Sequence, residues 1–150
     1  MRLKLIRLGS IITLINGIYA ILVGLFFVFA SRFLISSYFE NFPEVWDILV
    51  KKWISDISQY FLIMIYTGLL IITLGIFIIY LSAFILSKRD KLAWVVLFLG
   101  GIIGWGGMFI VNIFAKSFIV LTISFIGWAS FIIGMVIPLK YYLKKEYPTF

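Results

Sequence analysis

The chain has 150 residues, of which 64% are hydrophobic and 13% charged, with a formal net charge of +7 and a mean hydropathy of +1.19. A water-soluble domain of this size needs more polar surface than that, so lipid must be the solvent for most of the chain. It has no cysteine and no histidine, which excludes disulfides, thiolate chemistry, the usual zinc and haem ligands and the commonest general base.

A membrane-crossing helix needs about 20 mostly apolar residues to cover a hydrocarbon core of ~30 Å. Four segments meet this: residues 8–30, 60–86, 92–114 and 118–139, none of which contains Asp, Glu, Lys or Arg. The basic N-terminus, the apolar run and "VFA" before Ser31 imitate a signal peptide, but that run is about 22 residues and signal peptides use 7–15, so a retained anchor is expected.

The first outer loop, residues 31–59, is the one sizeable piece outside the membrane. Pro43 and Glu44 suit a helix start. Apolar Trp46, Leu49, Trp53 and Ile57 then recur at helical spacing, opposite Glu44, Asp47 and Lys51. The pattern predicts an amphipathic helix lying on the outer interface, as a cover for the bundle end or a docking surface for a partner. Asp56 with Gln59 is expected to cap the second span.

The second and third spans are joined by "SKRDK" and the third and fourth by "AKS", and loops this short make neighbours antiparallel. With both termini inside, the cytoplasmic side holds Arg2, Lys4, Arg7, Lys88, Arg89, Lys91, Lys140, Lys144 and Lys145, against Arg32, Lys51, Lys52 and Lys116 outside. The positive-inside rule therefore places both termini in the cytoplasm. The charge is a topology signal split into short patches, and it does not suggest nucleic-acid binding. The tail 140–150 alternates basic and aromatic residues as an interface anchor. Abundant Ile, Phe, Lys and Tyr with little Ala reads as an AT-rich genome and points to a prokaryotic plasma membrane.

Every span carries glycines seven apart: Gly17 with Gly24, Gly68 with Gly75, Gly100 with Gly107, and Gly127 with Gly134. Seven residues is nearly two helical turns, so each pair occupies one seam. Ser82 extends the second seam by another seven. In the third span, Ala93, Gly100, Gly104 and Gly107 fall within a stripe about 60° wide at 100° per residue. Small residues let membrane helices approach closely, so these glycines are read as packing positions. A hinge at Gly101 and Gly106, which lie off the stripe, is the competing reading.

Inside the spans, Asn16 and Asn112 are the costliest residues, because an amide in hydrocarbon needs partners. Depth counting puts Ser130 level with Asn16, and Thr122 and Ser124 level with Asn112. Hydrogen bonding between helices is the expected use of both amides, and a polar site in a permeation path is the alternative.

The predicted fold is all-α: a single membrane domain over residues 1–150, an antiparallel bundle of four transmembrane helices with one amphipathic interfacial helix. Catalytic residues, a cofactor and a metal are not expected, since the six acids lie in loops or the tail. Small multidrug exporters have this size but rely on a membrane-embedded Glu, and fluoride channels carry a third-span run of Thr, Phe and Ser. Animal junction tetraspans share the long first loop but pair cysteines in it. None of these features is present here. The expected role is that of a structural or accessory subunit, bound to a membrane-protein partner or to itself through glycine-rich faces. A small oligomeric channel is the alternative. Replacing Lys88, Arg89 and Lys91 with Gln is expected to give mixed insertion, read by labelling a cysteine introduced at Ser87. A loop that stays wholly cytoplasmic would show that the termini carry the orientation.

Overall fold

The computed structural model describes residues 2–31, 33–35, 54–88, 90–115 and 117–143, and among them there are helices and no strands. Helix α1 is Arg2–Phe29 and α2 is Ile54–Lys88. Helix α3, Lys91–Gly101, passes into a π-helical turn at Ile102–Gly106 and continues as α4, Gly107–Ala115. Helix α5 is Phe118–Val136 and α6 is Leu139–Leu143. Four stretches are long and apolar enough to cross a membrane: Lys4–Phe29, Gln59–Ile85, Lys91–Phe114 and Phe118–Val136.

Several boundaries differ from those expected, each for a local reason. Helix α2 already includes Asp56 and Gln59, so this pair lies within the helix and does not cap it. Ile57 belongs to the same helical backbone, while Trp46, Leu49 and Trp53 lie outside the described residues. Helix α3 has a cap the composition had not singled out. Asp90 precedes the apolar run, and its carboxylate accepts from the Ala93 backbone N–H at 2.8 Å. The fourth span ends at Val136 and not at Leu139, because Pro138 has no N–H to give to the carbonyl of Gly134 four residues back. That oxygen faces Gly9 instead, where an added methyl would lie 2.6 Å from it.

Helix α1 packs along both α2 and α5, α2 also meets α3, and the π turn and α4 meet α5. On the α1–α2 seam the glycines meet one another. A Cβ at Gly24 would lie 2.6 Å from the Gly68 carbonyl oxygen, and one at Gly75 would lie 2.7 Å from that of Gly17. Numbers rise along α1 as they fall along α2. One further seven-residue step brings Ser82 to Thr13, where the serine hydroxyl donates to the threonine oxygen at 2.9 Å. Thr13 in turn donates to the carbonyls of Gly9 and Ser10, so each hydroxyl is satisfied without water.

The α5 contacts with the third span work differently. A Cβ on Gly127 would fall inside the Trp105 indole, and one on Gly101 inside the Phe131 ring. Here glycine is a socket for an aromatic side chain, and it does not bring two backbones together. Trp105 and Phe131 are both fully buried as a result. Farther along, Phe109 stacks on Trp128 with ring centroids 5.5 Å apart.

The third-span stripe is displaced from its expected place. Gly104 touches Leu74, but Gly100 meets only Phe77 at ordinary distance and Gly107 faces open space. The buried positions of the third span are Ala93, Trp94, Leu97, Gly101, Trp105 and Asn112, and Ala93, Leu97, Gly101 and Trp105 follow one another in steps of four. A π turn holds one more residue than an α turn, so a stripe drawn at 100° per residue slips beyond Ile102–Gly106, which carries Gly107 off it. Gly100 lies ahead of the turn, where the buried positions already run in steps of four through Leu97 and Gly101.

These contacts separate two kinds of glycine. Gly24→Leu forces side-chain atoms into the α2 backbone and is expected to cost about 1–3 kcal/mol. Gly100→Ala, whose methyl makes only an ordinary contact with Phe77, is expected to leave thermal unfolding in mild detergent nearly unchanged. Equal losses in the two variants would show that the α1–α2 seam has no special demand for glycine.

Candidate functional site

The polar chemistry inside the spans gathers at one level, around Asn16. Its position on α1 follows from the Ser10, Thr13 and Asn16 spacing, which puts all three on the buried face. The Trp105 indole nitrogen donates to Asn16 Oδ1 at 2.9 Å. An indole N–H can only donate, which fixes the amide orientation. Asn16 Nδ2 then donates to the Gly127 carbonyl at 2.7 Å and to Ser130 Oγ at 2.8 Å. Ser130 passes its own proton to the same carbonyl at 3.1 Å. Gly127 takes part twice, since the missing side chain seats the indole while its oxygen takes the amide.

Trp105 is thus held on several sides. Tyr19 stacks on it at 5.8 Å and anchors its own hydroxyl on the Ile123 carbonyl at 2.9 Å. The π turn is what swings Trp105 toward α1 and α5. The cluster is assembled from an amide, an indole, two hydroxyls and backbone carbonyls, none of which titrates near neutrality. It can donate and accept hydrogen bonds, but it has no general base or strong nucleophile.

On the other side of Trp105 lies a cavity of about 380 Å³ between α2 and α4, with Phe27 of α1 at its edge. Its wall includes Gly104, Gly107, Met108 and Asn112 on one side and Thr67 and Ile71 on the other. Gly107 is exposed to it with no neighbour within 4 Å of an added Cβ. Asn112 is buried in this wall and Nδ2 donates to the Met108 carbonyl at 2.7 Å. Thr67 turns its hydroxyl back to the Ile63 carbonyl at 2.8 Å. The cavity wall is mainly apolar, with Asn112 and Thr67 its polar residues.

The predicted site residues separate into three groups. Asn16 and Ser130 come together, as depth counting placed them. Thr122 is exposed and bonds the Phe118 carbonyl on its own helix, and Ser124 likewise bonds Val120. Asn112 belongs to the cavity and Asn16 to the buried cluster. Trp105 was overlooked as a partner for Asn16. A signal existed, because a tryptophan inside a span needs an acceptor for its N–H, but the π turn hid the face it occupies.

No known protein family, no curated protein and no solved structure matches the chain.

The Asn16–Trp105 bond can be measured directly. A double-mutant cycle of Asn16→Leu and Trp105→Phe is expected to give a coupling of about 0.6–1.7 kcal/mol in reversible unfolding from mixed micelles. A coupling near zero would mean that the π turn is held by packing alone.

Proposed function

We propose that the chain is a non-enzymatic accessory subunit of a prokaryotic plasma membrane. In this reading it forms one antiparallel bundle of four transmembrane helices with both termini in the cytoplasm. Its partner is a membrane protein, or another copy of itself, that seats a helix beside Gly104 and Gly107. The observation that carries the reading is the cavity between α2 and α4. Gly107 is exposed, and a Cβ there would have no described neighbour within 4 Å, although glycine costs about 1 kcal/mol relative to alanine in an ordinary helix. Small residues on a lipid-facing surface are what a close helix contact uses. The residues around it, among them Ile103, Ile110 and Val111, are more than half exposed and apolar, as befits a surface meeting lipid or another helix. The amphipathic segment with Trp46, Leu49, Trp53 and Ile57 would add a second contact at the outer interface.

The buried cluster supports a structural role for Asn16. Both ends of its amide are occupied by its own bundle, so it fixes helix register in this reading. Asn112, on the cavity wall, is the residue that keeps a channel formed by several copies as the second reading.

Purification of the tagged protein from its native membrane in mild detergent, with Gly107→Leu in parallel, tests the proposal. Wild type is expected to bring down a larger membrane protein in fixed ratio or to run as a defined oligomer. The variant is expected to fold normally, since a Cβ there meets no described residue within 4 Å and the side chain can extend into the cavity, but to lose the assembly. A monomer in both cases would sink the reading. A pure homo-oligomer would instead call for liposome flux assays with Asn112→Ala.

A further inference from the structure

Three segments far apart in sequence converge at one end of the molecule. Gly9 near the start of α1 lies against Gly134 and Pro138, just before α6. Trp94 at the start of α3 stacks on Tyr142 of α6 with ring centroids 5.2 Å apart, and on Phe98 at 5.3 Å. Every cationic side chain whose placement is described belongs to these segments: Lys4, Arg7, Lys91 and Lys140. All four are exposed. The acid beside them, Asp90, is turned inward to the Ala93 N–H as the cap of α3. No ion pair joins any of the four cations to a carboxylate among the described residues. Four exposed cations, with Asp90 the one carboxylate among the described residues beside them, thus rim one end of an apolar helical body, over a buried aromatic floor of Trp94 and Tyr142.

We infer that this end binds the phosphate headgroups of anionic bilayer phospholipids. The complementarity is one of charge and depth. Tryptophan and tyrosine settle at the membrane–water boundary, and lysine and arginine stems reach from there to the headgroup level. Arg7 can grip a phosphate with two parallel N–H donors, while the three lysines act as point charges. The folded helices bring these charges together. The sequence scatters them over more than 130 positions, from Lys4 to Lys140. The inference rests on the membrane reading above.

The test uses the full chain in lipid nanodiscs, where both leaflets are alike and insertion direction has no effect. The association of spin-labelled phosphatidylglycerol is compared with that of spin-labelled phosphatidylcholine. One basic side chain near the surface is worth ~1 kcal/mol, which is roughly a fivefold preference. Wild type is expected to favour the anionic lipid by at least that factor, and the preference is expected to fall with added salt. The combined variant Lys4→Gln, Arg7→Gln, Lys91→Gln and Lys140→Gln is expected to lose at least that factor. Lys4→Arg, Lys91→Arg and Lys140→Arg together are expected to keep it. Equal association of the two lipids with wild type, or an unchanged ratio in the glutamine variant, would overturn the inference. Failure of the protein to enter the discs would remove the membrane reading along with it.

Discussion

The close approach of α1 to α2 is the constraint on which the rest of the structure depends. Association of helices in hydrocarbon gains little from hydrophobic burial, so it relies on packing and on internal hydrogen bonds. At Gly17, Gly24, Gly68 and Gly75 the helices meet backbone to backbone, with no room for a methyl group. This contact holds α1 in one rotation about its axis. The same rotation turns Thr13 toward Ser82 and Asn16 toward Gly127 and Ser130. A single rotation of α1 therefore serves a glycine seam on one flank and a polar cluster on the other.

The third span answers a different demand. Trp105 must bury a large ring and give its N–H to an acceptor, and Asn16 must find a donor for its carbonyl oxygen. A regular α-helix would continue the face of Gly100, Gly104 and Gly107. The π turn at Ile102–Gly106 inserts a residue, and Trp105 reaches Asn16 while its ring fills the hollow over Gly127. π turns are uncommon and cluster where a side chain has to be re-aimed. Flanking glycines, Gly101 and Gly106 among them, leave the backbone free to take this path. Just beyond it, a Cβ at Gly107 would meet no described residue within 4 Å, beside the cavity.

The molecule thus presents two unlike surfaces. Between α2 and α4 the cavity is mainly apolar, because residues such as Phe27, Ile63, Ile71, Leu74 and Met108 make up most of its lining beside Thr67 and Asn112. At the end where α1, α3 and α6 meet, four cations, Lys4, Arg7, Lys91 and Lys140, are exposed and the floor is aromatic. The first is suited to a helix or a hydrocarbon chain, the second to phosphate.

The sequence alone determined the helical class, the four long apolar stretches and the seven-residue spacing of the glycines. These are properties of composition and period, and they follow from the length of a membrane span and the geometry of one helix. Asn16 with Ser130 was also legible, because depth in a span can be counted from its ends. Which glycine meets a glycine and which meets an aromatic ring was decided only by tertiary structure, since one helix does not reveal its neighbour. The end of α5 was readable in principle from Pro138, whereas the π turn was not. Trp105, within that turn, and Asn16, 89 residues away, complete each other's hydrogen bond inside the bundle, and local helix period carries no trace of such a long-range partner.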